Sequence, residues 1–160
     1  MLAIDLARFI PLILIISYAA YSDYKTKMVP NKIWNYAIYG ALLTTFESFY
    51  FLNTTTILYE IISIAVTIGI AYALFALKAW GGADTKALMT IAVSAPMFPS
   101  WTIFSKIPSL NFFPIGVFYL ACIAALVYVV TNKTKTPLKQ RKIQFLPFLL
   151  VGLIGCVLFW

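Results

Sequence analysis

The chain has 160 residues, 62% of them hydrophobic and 11% charged, with a mean hydropathy of +0.92 and a net charge of +7. That leaves too little polar surface for a soluble globular domain, and no length for one beside a membrane domain. The basic residues sit in short loops between apolar runs, where they orient a membrane protein and meet anionic lipid rather than nucleic acid. The expectation is an all-α, polytopic membrane protein, one transmembrane domain over residues 1–160 with about six helices.

In chain order, a first apolar helix is predicted from about Leu2 to Ser22, followed by the polar loop Asp23 to Asn31. A second is predicted from about Lys32 to Phe51, with Asn31 after Pro30 as its N-cap. Asn53 to Thr56 reads as a turn, and a third helix from about Ile57 to Trp80 is stopped by Gly81-Gly82. A fourth starts near Asp84 and meets Pro96 and Pro99; to Met97 it is only ~21 Å long, short of a ~30 Å hydrocarbon core, so it either ends early or continues kinked toward Phe104. After a loop holding Lys106, a fifth runs from about Phe113 to Val130. A basic segment, Thr131 to Lys142, leads to a sixth, about Ile143 to Trp160.

Counted by side, one set of loops carries Lys25, Lys27, Lys32, Lys78, Lys86, Lys133, Lys135, Lys139, Arg141 and Lys142, and the other only Arg8 and Lys106. This ten-to-two bias predicts that the first set is cytoplasmic, that both termini are external and that the protein lies in the cytoplasmic membrane.

Histidine is absent, which removes Ser-His and Cys-His nucleophile systems and the usual zinc and haem ligands. Cys122 and Cys156 lie in apolar runs without a C-x-x-C pair, so neither a zinc site nor a disulfide framework is implied. No metal and no cofactor are expected.

Five carboxylates remain: Asp5, Asp23, Glu47, Glu60 and Asp84. Asp5, Glu47 and Glu60 fall near external helix ends, where interfacial placement explains them. Asp23 ends the first helix and Asp84 opens the fourth on the cytoplasmic side. If those helices are neighbours, the two carboxyls meet just inside the membrane surface. Such a pair suffices for peptide hydrolysis, because adjacent negative charges are costly and the dyad holds one shared proton. The plainer roles are N-cap of the fourth helix for Asp84 and a solvated loop position for Asp23.

The segment Asp23-Tyr24-Lys25-Thr26-Lys27-Met28-Val29-Pro30-Asn31 resembles the first motif of the type IV prepilin peptidases, which include the archaeal preflagellin peptidases. Gly81-Gly82-Ala83-Asp84-Thr85-Lys86 is similar to their Gly-x-Gly-Asp-x-Lys signature, with Ala83 in place of the second glycine. Gln144-Phe145-Leu146-Pro147-Phe148 resembles a weaker Pro-containing stretch near their end. The resemblance implies an intramembrane aspartic endopeptidase with Asp23 and Asp84 as its catalytic pair. Gly81, Gly82, Lys86, Pro30 and Asn31 would bind substrate or shape the site. The implied partner is a prepilin, pseudopilin or preflagellin precursor, whose short basic leader precedes a hydrophobic helix. A Cys-rich cytoplasmic insertion is missing, which implies no N-methyltransferase activity.

Helix-end electrostatics predict that Asp84, at a helix N-terminus, holds the charge and Asp23 the proton. The other classes weighed are an ion-coupled carrier, which would place carboxylates at the bilayer midplane in repeated halves, and a non-catalytic subunit of a pilus or secretion machine. A lipid phosphotransferase would need more clustered carboxylates, and a presenilin-type protease a Pro-Ala-Leu element that this sequence lacks.

Overall fold

The structure, a computed structural model, describes residues 2–52, 54–98, 112–131 and 145–159. Among these residues there are six α-helices and no strand: α1 (Leu2–Thr26), α2 (Tyr36–Phe51), α3 (Thr54–Ala76), α4 (Gly82–Ser94), α5 (Phe113–Thr131) and α6 (Leu146–Phe159). Lys106, Gln144 and the basic residues of the segment before α6 lie outside the described residues.

Three stretches, Ala3–Thr26, Thr54–Ala76 and Phe113–Thr131, are long and apolar enough to cross a membrane. The expected six spans are therefore met in part, as six helices of which three have spanning length. The apolar helix α6 is shorter. At 16 and 13 residues, α2 and α4 extend only ~24 and ~20 Å. Both are short for local reasons. Asn31–Asn35 winds as a 3-10 helix, taking up the first turn expected of α2. Ala95 leaves helical geometry at φ −147° and ψ 71°, because the ring of Pro96 disfavours the α region for the residue before it.

Two other boundaries differ from expectation. Helix α1 runs a turn further, so Asp23 lies in its last turns rather than in a loop. It closes at Lys27, φ 55°, whose N–H donates to the Asp23 carbonyl at 2.9 Å. Helix α3 ends earlier, at Ala76. Lys78 turns left-handed at φ 56°, while Ala79 N–H donates to Leu74 O at 3.0 Å and Lys78 N–H to Phe75 O at 2.9 Å. The glycine pair thus does not stop the third helix. It opens the fourth.

Helix α4 is the axis of the bundle and touches all five of the others. Ala87, Leu88 and Ile91 are fully buried, in one apolar core with Leu12 and Ile16 of α1, Val117 of α5 and Leu149 of α6. Small residues set the closest approaches: a Cβ on Gly40 of α2 would lie 2.0 Å from Ser94 Oγ, and one on Gly152 of α6 would lie 2.3 Å from the Val117 carbonyl. Helices α1 and α4 are neighbours, the condition for their acidic ends to meet.

Asp5, Glu47 and Glu60 lie at the end of the bundle remote from Asp84, and all three are buried against partners rather than exposed. Arg8, 2% exposed, pairs with Glu47 and lies 3.9 Å from Asp5, while Ser48 bonds Glu60. The Tyr36 hydroxyl donates to the Arg8 carbonyl at 2.7 Å. A charge that packs inward needs partners, and three helices converge to supply them here.

Candidate active site

Asp84 occupies the first turn of α4, outside the three spans. Gly81 is the N-cap, extended at φ −75° and ψ 159°, which places Asp84 at the third helical position rather than at the cap. Its carboxylate accepts a hydrogen bond from the Gly81 N–H, the reach-back made by the acidic partner of a capping box. It accepts a second from the N–H of Leu146, the first residue of α6. Two helix N-termini therefore point at one carboxylate.

Burial and the negative charge of Asp23 nevertheless raise the Asp84 pKa to about 6, against the pull of those two N–H groups. At Asp84, desolvation thus outweighs the pull of the helix end, so the carboxyl takes up a proton more readily than its place at a helix N-terminus alone would allow. Asp23 is half-buried and near enough for its charge to act on Asp84.

The surroundings of Asp23 are held by its neighbours' hydroxyls. Ser22 Oγ donates to the Met28 carbonyl at 2.8 Å, and Thr26 Oγ1 reaches the same carbonyl at 3.0 Å. These bonds fold the chain back after α1. Pro30 then caps the 3-10 helix in an extended conformation, and Asn31 opens it. Asn31 is not the N-cap of α2; its Oδ1 instead accepts from Lys86 Nζ at 2.7 Å. Lys86, two residues beyond Asp84, thus ties the first motif to the second.

Gly81 and Gly82 are exposed beside the carboxyl. A Cβ on Gly81 would stand 3.4 Å from Asp84 Oδ2, whereas one on Gly82 would meet only a Phe75 ring carbon at 3.9 Å. Neither has a positive φ, so their value here is open space. The structure thus gathers Asp23, Pro30, Asn31, Gly81, Gly82, Asp84 and Lys86 at one end of the bundle. The Leu146 amide and Trp80 went unassigned in the sequence. The Trp80 ring packs 4.6 Å from Phe145 and 5.5 Å from Phe118, anchoring the strand of chain before Asp84 to the start of α6. The Gln144–Phe148 stretch marked that region, but a main-chain donor leaves no sequence signature.

Among the described residues no group of three or more potential ligands could hold a metal ion. The arrangement offers general acid–base chemistry by two carboxyls.

Residues 10–130 match the model of the type IV leader peptidase family. The chain is also 29% identical over 143 residues to a preflagellin peptidase of Methanococcus voltae, an alignment covering 84% of this chain and 61% of that relative. The match contains both motifs and every helix from the second half of α1 to the last turn of α5. The chain belongs to the type IV leader peptidase family.

Proposed function

We propose that this protein is a membrane-embedded aspartic endopeptidase. It removes the short basic leader from type IV prepilin-like or preflagellin-like precursors at the cytoplasmic face of the cell membrane. The observation that supports the proposal is that α1 and α4 are neighbours and that Asp23, near the end of α1, lies close enough to Asp84, at the start of α4, for its charge to help raise the Asp84 pKa to about 6.

In the mono-protonated dyad, the ionised carboxylate takes a proton from a water as its oxygen attacks the scissile carbonyl carbon. The protonated partner donates to the carbonyl oxygen, giving a neutral gem-diol. Collapse of the diol re-forms the carbonyl, breaks the C–N bond and delivers a proton to the leaving amine. Burial and the proximity of like charges raise the affinity of the pair for a single proton.

The sidedness rests on the charge count. Lys25, Lys27, Lys32, Lys78 and Lys86 all belong to the Asp84 end, which the positive-inside rule assigns to the cytoplasm, with the termini outside. A membrane-anchored precursor presents its cleavage point at that depth. The hydrogen bond to Asn31 fixes the position of the Lys86 ammonium but leaves its charge in place. Methyl transfer is not part of the proposed activity.

The test is a leader-cleavage assay in detergent with wild type, Asp23→Asn and Asp84→Asn. Both variants should lose cleavage by a factor of ~10³ or more with helicity intact. Cleavage retained by either would remove the aspartic mechanism.

A further inference from the structure

Helices α2 and α3 both pack on α4. Between them, toward the end remote from Asp84, lies a groove of about 320 Å³ lined by Thr44, Thr45, Ser48, Phe49, Glu60 and Ile61 among others. It opens outward beside the exposed rings of Phe46, Phe49 and Tyr50 on α2. An apolar groove facing lipid is ordinarily lined by hydrocarbon. This one carries three hydroxyls and a carboxyl.

The hydrogen-bond accounting says what those groups want. Each hydroxyl already has an acceptor for its hydrogen: Thr44 the Val93 carbonyl at 3.1 Å, Thr45 the Ala41 carbonyl at 2.8 Å, and Ser48 either the Thr44 carbonyl at 2.9 Å or the Glu60 carboxyl. A hydroxyl has one hydrogen and two lone pairs, so what this lining still offers is acceptor capacity. An acyl chain has no donor to give it. The same bond from Thr44 fixes the groove at the C-terminal end of α4, about ten residues and ~15 Å from Asp84 along the helix axis.

Resting on the peptidase reading above, we infer that this groove seats the membrane helix of the precursor. The contact falls about ten residues past the cleaved bond, at a side chain bearing a hydrogen-bond donor. A substrate of a dyad lying at the membrane end of an almost wholly apolar chain arrives through the bilayer, and its helix descends from the site alongside α4. At 1.5 Å per residue it reaches the groove at that register. In hydrocarbon a donor side chain has few other partners, which makes the groove a specificity element separate from the chemistry.

The test uses the full chain in detergent with a precursor of defined sequence. Thr45 is exposed and outside the dyad, so Thr45→Trp should fill the groove without unfolding the bundle. It should raise KM about tenfold while leaving kcat within about twofold. The milder Thr45→Val removes one acceptor and should raise KM in the same direction. In an Asp84→Asn background with Cys122→Ala and Cys156→Ala, Thr45→Cys should cross-link precursors carrying single cysteines near the tenth position, with helical periodicity.

Wild-type KM in Thr45→Trp, cross-links without a register, or cross-links between two copies of the enzyme would overturn the groove assignment, provided cleavage still needs both aspartates. Undiminished cleavage by Asp84→Asn would instead remove the peptidase reading, and this inference with it.

Discussion

Lys86 Nζ donates to Asn31 Oδ1 at 2.7 Å, joining residues 55 positions apart in the chain. Through this bond the turn after α1, which follows Asp23, is registered against the first turn of α4, which holds Asp84. The pair is exposed, so its contribution to global stability is small. Its consequence is positional.

Lys86→Met and Asn31→Ala should each lower kcat for leader cleavage about tenfold with little change in thermal midpoint, and the double variant should be no worse than either single one. Additive losses in a double-mutant cycle would show that the two residues act separately.

The raised pKa of Asp84 makes a signed prediction. Its folded value is about 6 against 3.8 for the unexposed-charge reference. The folded state therefore binds the proton more tightly than the unfolded chain. The resulting stability is fully present below pH 3.8, declines as pH rises, and is gone above about 6. Asp84→Asn should accordingly raise the unfolding free energy at pH 7 by about 1–2 kcal/mol. The advantage should vanish near pH 4, as read by chemical denaturation in detergent. Cleavage by the wild type should fall on the alkaline side as Asp84 loses its proton. A variant equally stabilised at both pH values would contradict this account.

Glycines separate packing from propensity. Gly40→Ala and Gly152→Ala place a Cβ at 2.0 Å from Ser94 Oγ and 2.3 Å from the Val117 carbonyl, respectively. Each should cost ~2 kcal/mol or more by prising α2 from α4 or α6 from α5. Gly69→Ala in α3, with nothing within 4 Å of the new carbon, should gain up to ~1 kcal/mol. Thermal unfolding of the three variants gives the order directly.

The buried guanidinium at the far end should be the most sensitive single position outside the site. Arg8→Met leaves Glu47 buried without its partner and should cost ~3–5 kcal/mol. Adding Glu47→Gln should recover much of that loss, because the removed charge no longer needs neutralising. No recovery in the double variant would locate the cost in packing of the Arg8 stem instead.

Much of this protein could be read along the chain. The helical class, the fifth helix and the two acidic motifs follow from hydrophobic length and local residue pattern, and the structure decides between the two courses open to the fourth helix at Pro96. Helix ends were less legible. Lys27 and Lys78 close α1 and α3 in left-handed conformations that lysine seldom adopts, so the glycine pair drew a stop signal that belonged three residues earlier. The burial of Asp5, Glu47 and Glu60 was hidden for a related reason: Arg8 of α1 reaches Glu47 of α2, and Ser48 of α2 reaches Glu60 of α3, only once the helices pack.

Local sequence determined which residues could do chemistry, since side-chain type and helix length are properties of short stretches. Only the tertiary structure decided that α4 is the central helix, and that Asp84 is desolvated beside Asp23 with amides from Gly81 and Leu146. It alone decided that Lys86 is spent on Asn31. The physical reason is that burial, Coulomb energy and hydrogen-bond partnership depend on separations in space, and residues 23, 31, 84 and 146 become neighbours only when the helices pack.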